Sequence, residues 1–241
     1  MMLQKQTLLF QNKWNELVQK GFNLVFSYMS NINNTTPYQM TKPEILRHYT
    51  LVHEILMIRD EEVRKLLSLN LDAQLRKYCQ NVLQECNNKV TLTYFVTKWR
   101  SYSYILYDWI KKSFQYFDKV KKMINRGGSL EEEVFNIFKI EIYDKYKNSL
   151  YDEFEILAND YRTNLNISNI NICKEYIKFL KNFKENDLIE SFFSSTEKYF
   201  NNLVQSHINN CTFSSYMDFF GREINKEKDF LNCADIKNDH L

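Results

Sequence analysis

The apolar positions between residues 44 and 58 form a broader face than a helix with a single neighbour needs. These residues read EILRHYTLVHEILMI. At about 100° per residue, the apolar side chains together with His48 cover an arc of about 260°, whereas a surface helix normally buries a stripe of about 100°. The arc divides into two sides that lie about 200° apart. One side carries Leu51, Ile55 and Ile58, and the other carries Ile45, Leu46, Tyr49, Val52 and His53.

The first side is predicted to face a core. The second can face either a partner protein or more of the same chain. Periodicity alone favours neither, because a helix sandwiched within its own fold has the same pattern as a helix that is half covered by a partner.

Apolar residues recur at three- and four-residue steps along most of the chain, which predicts helices throughout. The pattern at 63–83 fits one long helix or two abutting ones, and the segment 91–123 is the most aromatic. The predicted helices cover residues 8–29, 43–58, 63–83, 91–123, 130–159, 172–183, 188–209 and 212–231.

Capping residues and polar stretches predict where these helices begin and end. Thr41 precedes Pro43 and Glu44, and Ser129 precedes an acidic first turn, so both are predicted N-caps. Asn87 and Asn88 are predicted to end the third helix. Turns are predicted at the polar stretches 30–38, 125–129 and 163–169.

Composition supports a helical chain. The 241 residues include only four Gly and two Pro, while 44% are hydrophobic and 15% aromatic. Scarce turn formers predict an all-α fold, and the apolar content suffices for one large or two smaller units. The sequence NRGGS at 125–129 is the clearest break, so we expect one domain at 1–128 and a second at 129–241.

Charge and motifs exclude several classes of function. The net charge of +2 argues against a dedicated phosphate-binding surface. The four histidines form no metal-ligand spacing, the five cysteines form no CxxC pair, and the common catalytic and nucleotide-binding strings are absent. We therefore expect no enzyme activity, no metal and no cofactor. No signal peptide and no membrane segment are predicted, which indicates a soluble intracellular protein whose thiols stay reduced.

The lysines and aromatic residues of 91–123 allow one alternative. Rings interleaved with lysines can bind single-stranded nucleic acid, so a helical nucleic-acid-binding protein is the second hypothesis. Rings at three- and four-residue spacing are more often core residues, which makes this the weaker interpretation.

Several stretches, in this order, resemble the amino-terminal region of a cullin, the scaffold subunit of cullin-RING ubiquitin ligases. KWNELVQKGFNLVF resembles the first cullin helix and MTKPEILRHYTLVHEI the second. LTYFVTKWRSYSY resembles the family's F-x-x-x-W-x-x-Y pattern, and SFQYFDKV the following Y-[LM]-D-R-x-x-V. The segment 191–231 resembles the end of the second repeat. The resemblance covers residues 8–235 and implies an elongated stack of two five-helix cullin repeats.

The resemblance also implies a function. The chain would be a non-catalytic scaffold, cytoplasmic or nuclear, that binds a BTB/POZ-fold adaptor which recruits substrate receptors for ubiquitin-dependent degradation. The adaptor-binding residues implied are Ile45, Leu46, Tyr49, Val52, His53, Tyr116 and Lys119. A full cullin also carries a third repeat and a carboxy-terminal domain that holds the RING protein. We expect the RING protein to bind only through that part, which these residues do not include.

Three departures from the family pattern leave the class of adaptor open, between the S-phase-kinase-associated-protein type and the BTB type. His48 and His53 replace larger apolar or aromatic residues. Lys119 stands where Arg is common. The interval from Trp99 to Tyr116 is one residue longer than usual.

Overall fold

The computed structural model describes residues 2–30, 40–58, 60–123, 128–164, 167–208 and 212–233. These residues form nine helices and contain no strand, which confirms the predicted all-α helical stack. None of the helices in these ranges is both long and apolar enough to cross a membrane.

The nine helices are named α1 to α9 in chain order. Their bounds are α1 2–30, α2 Lys42–Leu56, α3 Glu61–Glu85, α4 92–113, α5 Gln115–Met123, α6 130–164, α7 Ile167–Asn182, α8 Asn186–Ile208 and α9 Phe213–Cys233. Three helices contain one π-helical turn each, at Val18–Phe22 in α1, Tyr102–Leu106 in α4 and Lys139–Tyr143 in α6. The sequence pattern did not predict these turns.

The predicted N-caps at Thr41 and Ser129 and the predicted helix end at Asn87 and Asn88 are confirmed. Thr41 and Ser129 each form a capping box with the glutamate three residues later, which satisfies two main-chain N–H groups that lack a partner within the helix. Asn87 and Asn88 follow α3 with φ angles of 50° and 57°, the left-handed conformation that ends a helix.

Two predicted boundaries differ from the structure. The segment 91–123, predicted as one helix, breaks at Phe114, whose fully buried ring packs against Phe22 and Trp109. The turn predicted at 163–169 is too long, since α6 continues to residue 164 and α7 begins at Ile167. Residues 31–38 of the first predicted turn and residues 125–127 of the second lie outside the described residues.

The chain divides into two compact units. Unit 1 comprises Met1–Val90 with Thr97–Tyr146, and unit 2 comprises Thr91–Val96 with Lys147–Leu241. These bounds follow spatial compactness, so the predicted division into repeats at 1–128 and 129–241 stays a prediction.

Aromatic rings form the core of unit 1. Phe22 meets Trp109 edge to face at 4.7 Å between ring centroids, a geometry that the ring quadrupoles favour. Tyr102 lies 4.8 Å from Phe138, and its hydroxyl donates a hydrogen bond of 2.7 Å to the Val134 carbonyl. The core therefore joins α1, α4 and α6 around buried rings.

Unit 2 combines an aromatic core with a buried ion pair. Phe192 lies 5.1 Å from Phe154, and both rings are buried. Beside them the Arg162 guanidinium donates to both carboxylate oxygens of Glu227, at 3.0 and 2.8 Å, and to the Thr196 hydroxyl at 2.7 Å. Because a buried charge is costly unless it is paired, this arrangement fixes α6, α8 and α9 in one register.

The π-turn of α1 brings its backbone against Trp109, which generates a prediction about Gly21. A Cβ atom at Gly21 would lie 2.8 Å from Cζ2 of the buried Trp109 ring. We therefore expect Gly21→Ala to lower the free energy of unfolding by about 1–3 kcal/mol, despite the better helix propensity of Ala. Urea denaturation followed by tryptophan fluorescence measures this change in the free energy of unfolding, since all three tryptophans lie in unit 1.

Gly221 in α9 is the matched control, because a Cβ there meets nothing within 4 Å. Gly221→Ala should raise stability by up to about 1 kcal/mol through helix propensity alone, as measured by circular dichroism. If both variants are stabilised, Trp109 does not restrict the space at Gly21.

Candidate protein-interaction surface

Helix α2, which carries most of the predicted adaptor-binding residues, is tied to α1 along one edge. Lys13 pairs with Glu54, and the Arg47 guanidinium lies 2.6 Å from the Glu16 carboxylate. These pairs are partly exposed, so each adds little stability. Their position, however, places this edge of α2 against the rest of unit 1.

His48 anchors the underside of α2. The Trp109 indole N–H donates a hydrogen bond of 3.1 Å to Nδ1 of His48, so this nitrogen is an unprotonated acceptor. The other ring nitrogen carries the proton and donates a hydrogen bond to the main chain of Lys20, in the π-turn of α1. The sequence does not predict this contact, because no local pattern indicates a partner 61 residues away in the chain.

The environment of His48 lowers the pKa of its imidazole below 6.5. Burial is the main cause, since it disfavours the charged form, and Arg47 acts in the same direction. The hydrogen bond to the Lys20 main chain and the carboxylate of Glu44 act in the opposite direction but are weaker. His48 is therefore held neutral in the folded protein.

The outward side of α2 meets α5 through three neighbouring rings. His53 lies between two tyrosines, with its ring centroid 6.1 Å from Tyr49 and 5.0 Å from Tyr116. All three side chains are half-buried. The α2–α5 face is the surface formed by Ile45, Leu46, Tyr49, His53, Tyr116 and Lys119. Leu46 is 64% exposed on this face and adds apolar area next to the three rings.

Val52 does not reach this surface. Its side chain has 0% exposure, so the predicted contact between Val52 and an adaptor lacks any accessible atom. The reason is rotational: Val52 lies four residues after His48, on the same side of α2, and that side is buried against Trp109. Val52 thus supports the α2–α5 face from below. Leu51 and Ile55 are buried as predicted, and Ile58 is half-buried.

The segment proposed for nucleic-acid binding offers few exposed rings and little free charge. Base stacking needs accessible faces, yet its rings are largely buried, among them Phe95, Trp99, Tyr102, Trp109, Phe114 and Phe117. Three of its lysines pair with carboxylates: Lys112 with Asp108, Lys122 with Asp118, and Lys121 with Glu133. These contacts favour a structural role for the segment.

The cysteines and acidic clusters form no candidate metal site within the described residues. No group of three or more His, Cys, Asp or Glu side chains converges there. Burial raises the pKa of Cys79 and of Cys173 to about 12, so both are inert thiols near neutral pH. The side chains of Cys211 and Cys233 lie outside the described residues.

Comparison with known proteins gives one family. Residues 14–238 match the family model of the cullin alpha solenoid domain. No match was found among curated proteins or among solved structures.

The position of His48 predicts a pH-dependent stability. The unfolded chain takes up the proton near pH 6.5, whereas the folded chain takes it up only at lower pH. Stability is therefore complete above about pH 6.5 and falls as the pH decreases below it, by at most about 1.4 kcal/mol per pH unit from this group. Urea denaturation between pH 7.5 and 5, followed by tryptophan fluorescence, measures the slope.

Two substitutions at His48 isolate this contribution. His48→Gln cannot titrate but can still accept the hydrogen bond from Trp109, so it should flatten the pH dependence and retain most stability at pH 7. His48→Leu should flatten it as well, but leaves the buried indole N–H unsatisfied, at a cost of about 1–3 kcal/mol at pH 7. An unchanged slope in both variants would show that other groups cause the pH dependence.

Proposed function

This chain belongs to the cullin family, and we propose that its α2–α5 face binds a BTB/POZ-fold adaptor. The chain is a cullin-type scaffold. In the proposed function it is the non-catalytic scaffold of a cullin-RING ubiquitin ligase in the cytoplasm or nucleus. Its adaptor brings substrate receptors, which direct proteins to ubiquitin-dependent degradation.

The observation that carries this proposal is the partly exposed, rigidly supported surface of aromatic and apolar side chains on α2 and α5. The backbone of α2 is fixed by a capping box at Thr41 and by His48 below, while Leu46 and Tyr49 project outward. A rigid surface loses little conformational entropy on binding, which leaves more of the contact energy for affinity. An apolar centre with a polar edge is also the usual anatomy of a protein interface.

The residues of the α2–α5 face have different proposed roles. Tyr49 is the central anchor, because a half-buried aromatic ring can enter a groove while its hydroxyl reaches the polar rim. Tyr116 and His53 extend the aromatic surface from α2 to α5. Ile45 and Leu46 add apolar area, and Lys119 is an exposed charge at the edge.

The remaining parts of the proposal follow from family membership. The first repeat, 1–128, carries the adaptor surface, and the second, 129–241, extends the helical stack. A RING protein would bind through a carboxy-terminal part of a full cullin. The adaptor is of either the S-phase-kinase-associated-protein type or the BTB type.

Paired substitutions on opposite sides of α2 test the proposed function. Tyr49→Ala should weaken adaptor binding by about 2 kcal/mol or more, roughly thirtyfold, with little change in thermal stability. Leu51→Ala should do the reverse, since Leu51 is buried in the core of unit 1, and lower the stability by about 2–5 kcal/mol. Isothermal titration calorimetry with purified adaptors of both types, and thermal melting, measure the two effects.

Two outcomes of the Tyr49→Ala measurement would contradict the proposed function of the α2–α5 face. If Tyr49→Ala unfolds the protein, Tyr49 belongs to the core. If the variant is folded and binds an adaptor with wild-type affinity, the α2–α5 face is not the binding site.

A further inference from the structure

We propose that the adaptor surface extends beyond the residues implied by family resemblance, to the exposed methionines Met57 and Met123, and that it fits an adaptor groove with acidic residues at its rim. This inference rests on the proposed function. It names two contact residues and the charge of the partner surface.

Met57 continues the outward stripe of α2. Ile45, Tyr49, His53 and Met57 follow each other at four-residue spacing, which keeps them on one side of a helix. Met57 is the C-cap residue of α2, with its N–H bonded to the His53 carbonyl, so the helical register continues through it. The side chain lies about 6 Å beyond His53 along the helix axis and is 46% exposed.

Met123 continues the matching stripe of α5. At 100° per residue, Met123 points within about 20° of Tyr116 and Val120 within about 40°, so the three share one side. Met123 is 82% exposed, the most exposed of the large hydrophobic side chains in the described residues, and Val120 is half-buried. The stripe on α5 is therefore open to solvent at its Met123 end.

The two stripes extend in the same direction. Trp109 contacts His48, and seven residues later Tyr116 contacts His53, so the later residues of one segment meet the later residues of the other. Main-chain hydrogen bonds from Phe114 to Ile110 and from Asp118 to Phe114 carry the helical course across the break. Helix α5 then packs along α2. Met57 and Met123 consequently enlarge the same face, beyond the His53 and Tyr116 rings.

Two lysines give the charge of this surface. Lys42 precedes Leu46 by one turn, and Lys119 lies one turn from Tyr116. Among the described residues, neither lysine forms an ion pair, whereas Arg47 on the opposite edge of α2 is paired with Glu16. Unpaired positive charge thus lies beside Leu46 and Tyr116, while the acidic residues Asp60, Glu61 and Glu62 follow Met57. An adaptor with acidic residues around an apolar groove is the complementary partner. The unbranched side chains of Met57 and Met123 can adjust to the shape of that groove.

Substitutions that introduce a charge at the methionines test both parts of the inference. Met57→Glu and Met123→Glu should each weaken binding at least about tenfold, because each removes apolar contact, and Met123→Glu also places a negative charge near the acidic rim. Met123→Lys removes the same contact but adds an attractive charge, so its affinity should stay within about threefold of wild type. Isothermal titration calorimetry with purified adaptors of both types measures the affinities, and thermal melts should be unchanged since both side chains are exposed.

Leu69→Glu is the matched control. Leu69 is also an exposed apolar residue, at 66%, but it lines a groove formed by residues of α3 and α6 and by none of α2 or α5. This variant should bind as wild type does.

The possible outcomes separate the inference from the proposed function. If Tyr49→Ala abolishes binding while both Glu variants at the methionines bind normally, the extension is wrong and the proposed function stands. If Met123→Lys and Met123→Glu weaken binding equally, the acidic rim is wrong. If no adaptor of either type binds the wild-type protein, the proposed function fails, and this inference fails with it.

Discussion

The hydrogen bond from Trp109 to His48 determines how α2 is rotated against the rest of unit 1. An imidazole with an unprotonated Nδ1 must face the indole N–H, and the other ring nitrogen must reach the main chain of Lys20. Gly21 allows this approach, because a side chain there would collide with the indole ring. Three helices thus meet at one polar contact inside an aromatic core. Every outward-facing side chain of α2 takes its direction from that contact.

Most of the fold follows from local sequence signals, and the exceptions have tertiary causes. Helix existence, the caps at Thr41 and Ser129, and the termination at Asn87 depend on near neighbours in the chain, so periodicity and capping chemistry predict them. The break at Phe114 depends on rings from distant parts of the chain. The three π-turns have no pattern of their own that apolar spacing reveals.

The candidate surface shows the same division at the level of single residues. A helical wheel separates two sides of α2 and places Leu51 and Ile55 correctly in the core. It cannot give the rotation of the helix to better than one residue position, because a broad apolar arc fits several rotations. Val52 falls at the edge between the two sides, and the distant contact of His48 decides that it is buried. The same holds in unit 2, where the buried pair of Arg162 and Glu227 joins residues 65 positions apart and no local pattern predicts it.

The π-turn at Tyr102–Leu106 has a consequence for how related chains are aligned. A π-turn hydrogen-bonds to the fifth residue instead of the fourth and so accommodates one additional residue in a continuous helix. It lies inside the interval from Trp99 to Tyr116, which the resemblance implies is one residue longer than usual in the family. An insertion absorbed in this way leaves the rings before and after it, Trp99 and Tyr116, on their original sides. When this chain is aligned with related chains, the gap opposite its additional residue therefore belongs within helix α4 and not in a loop.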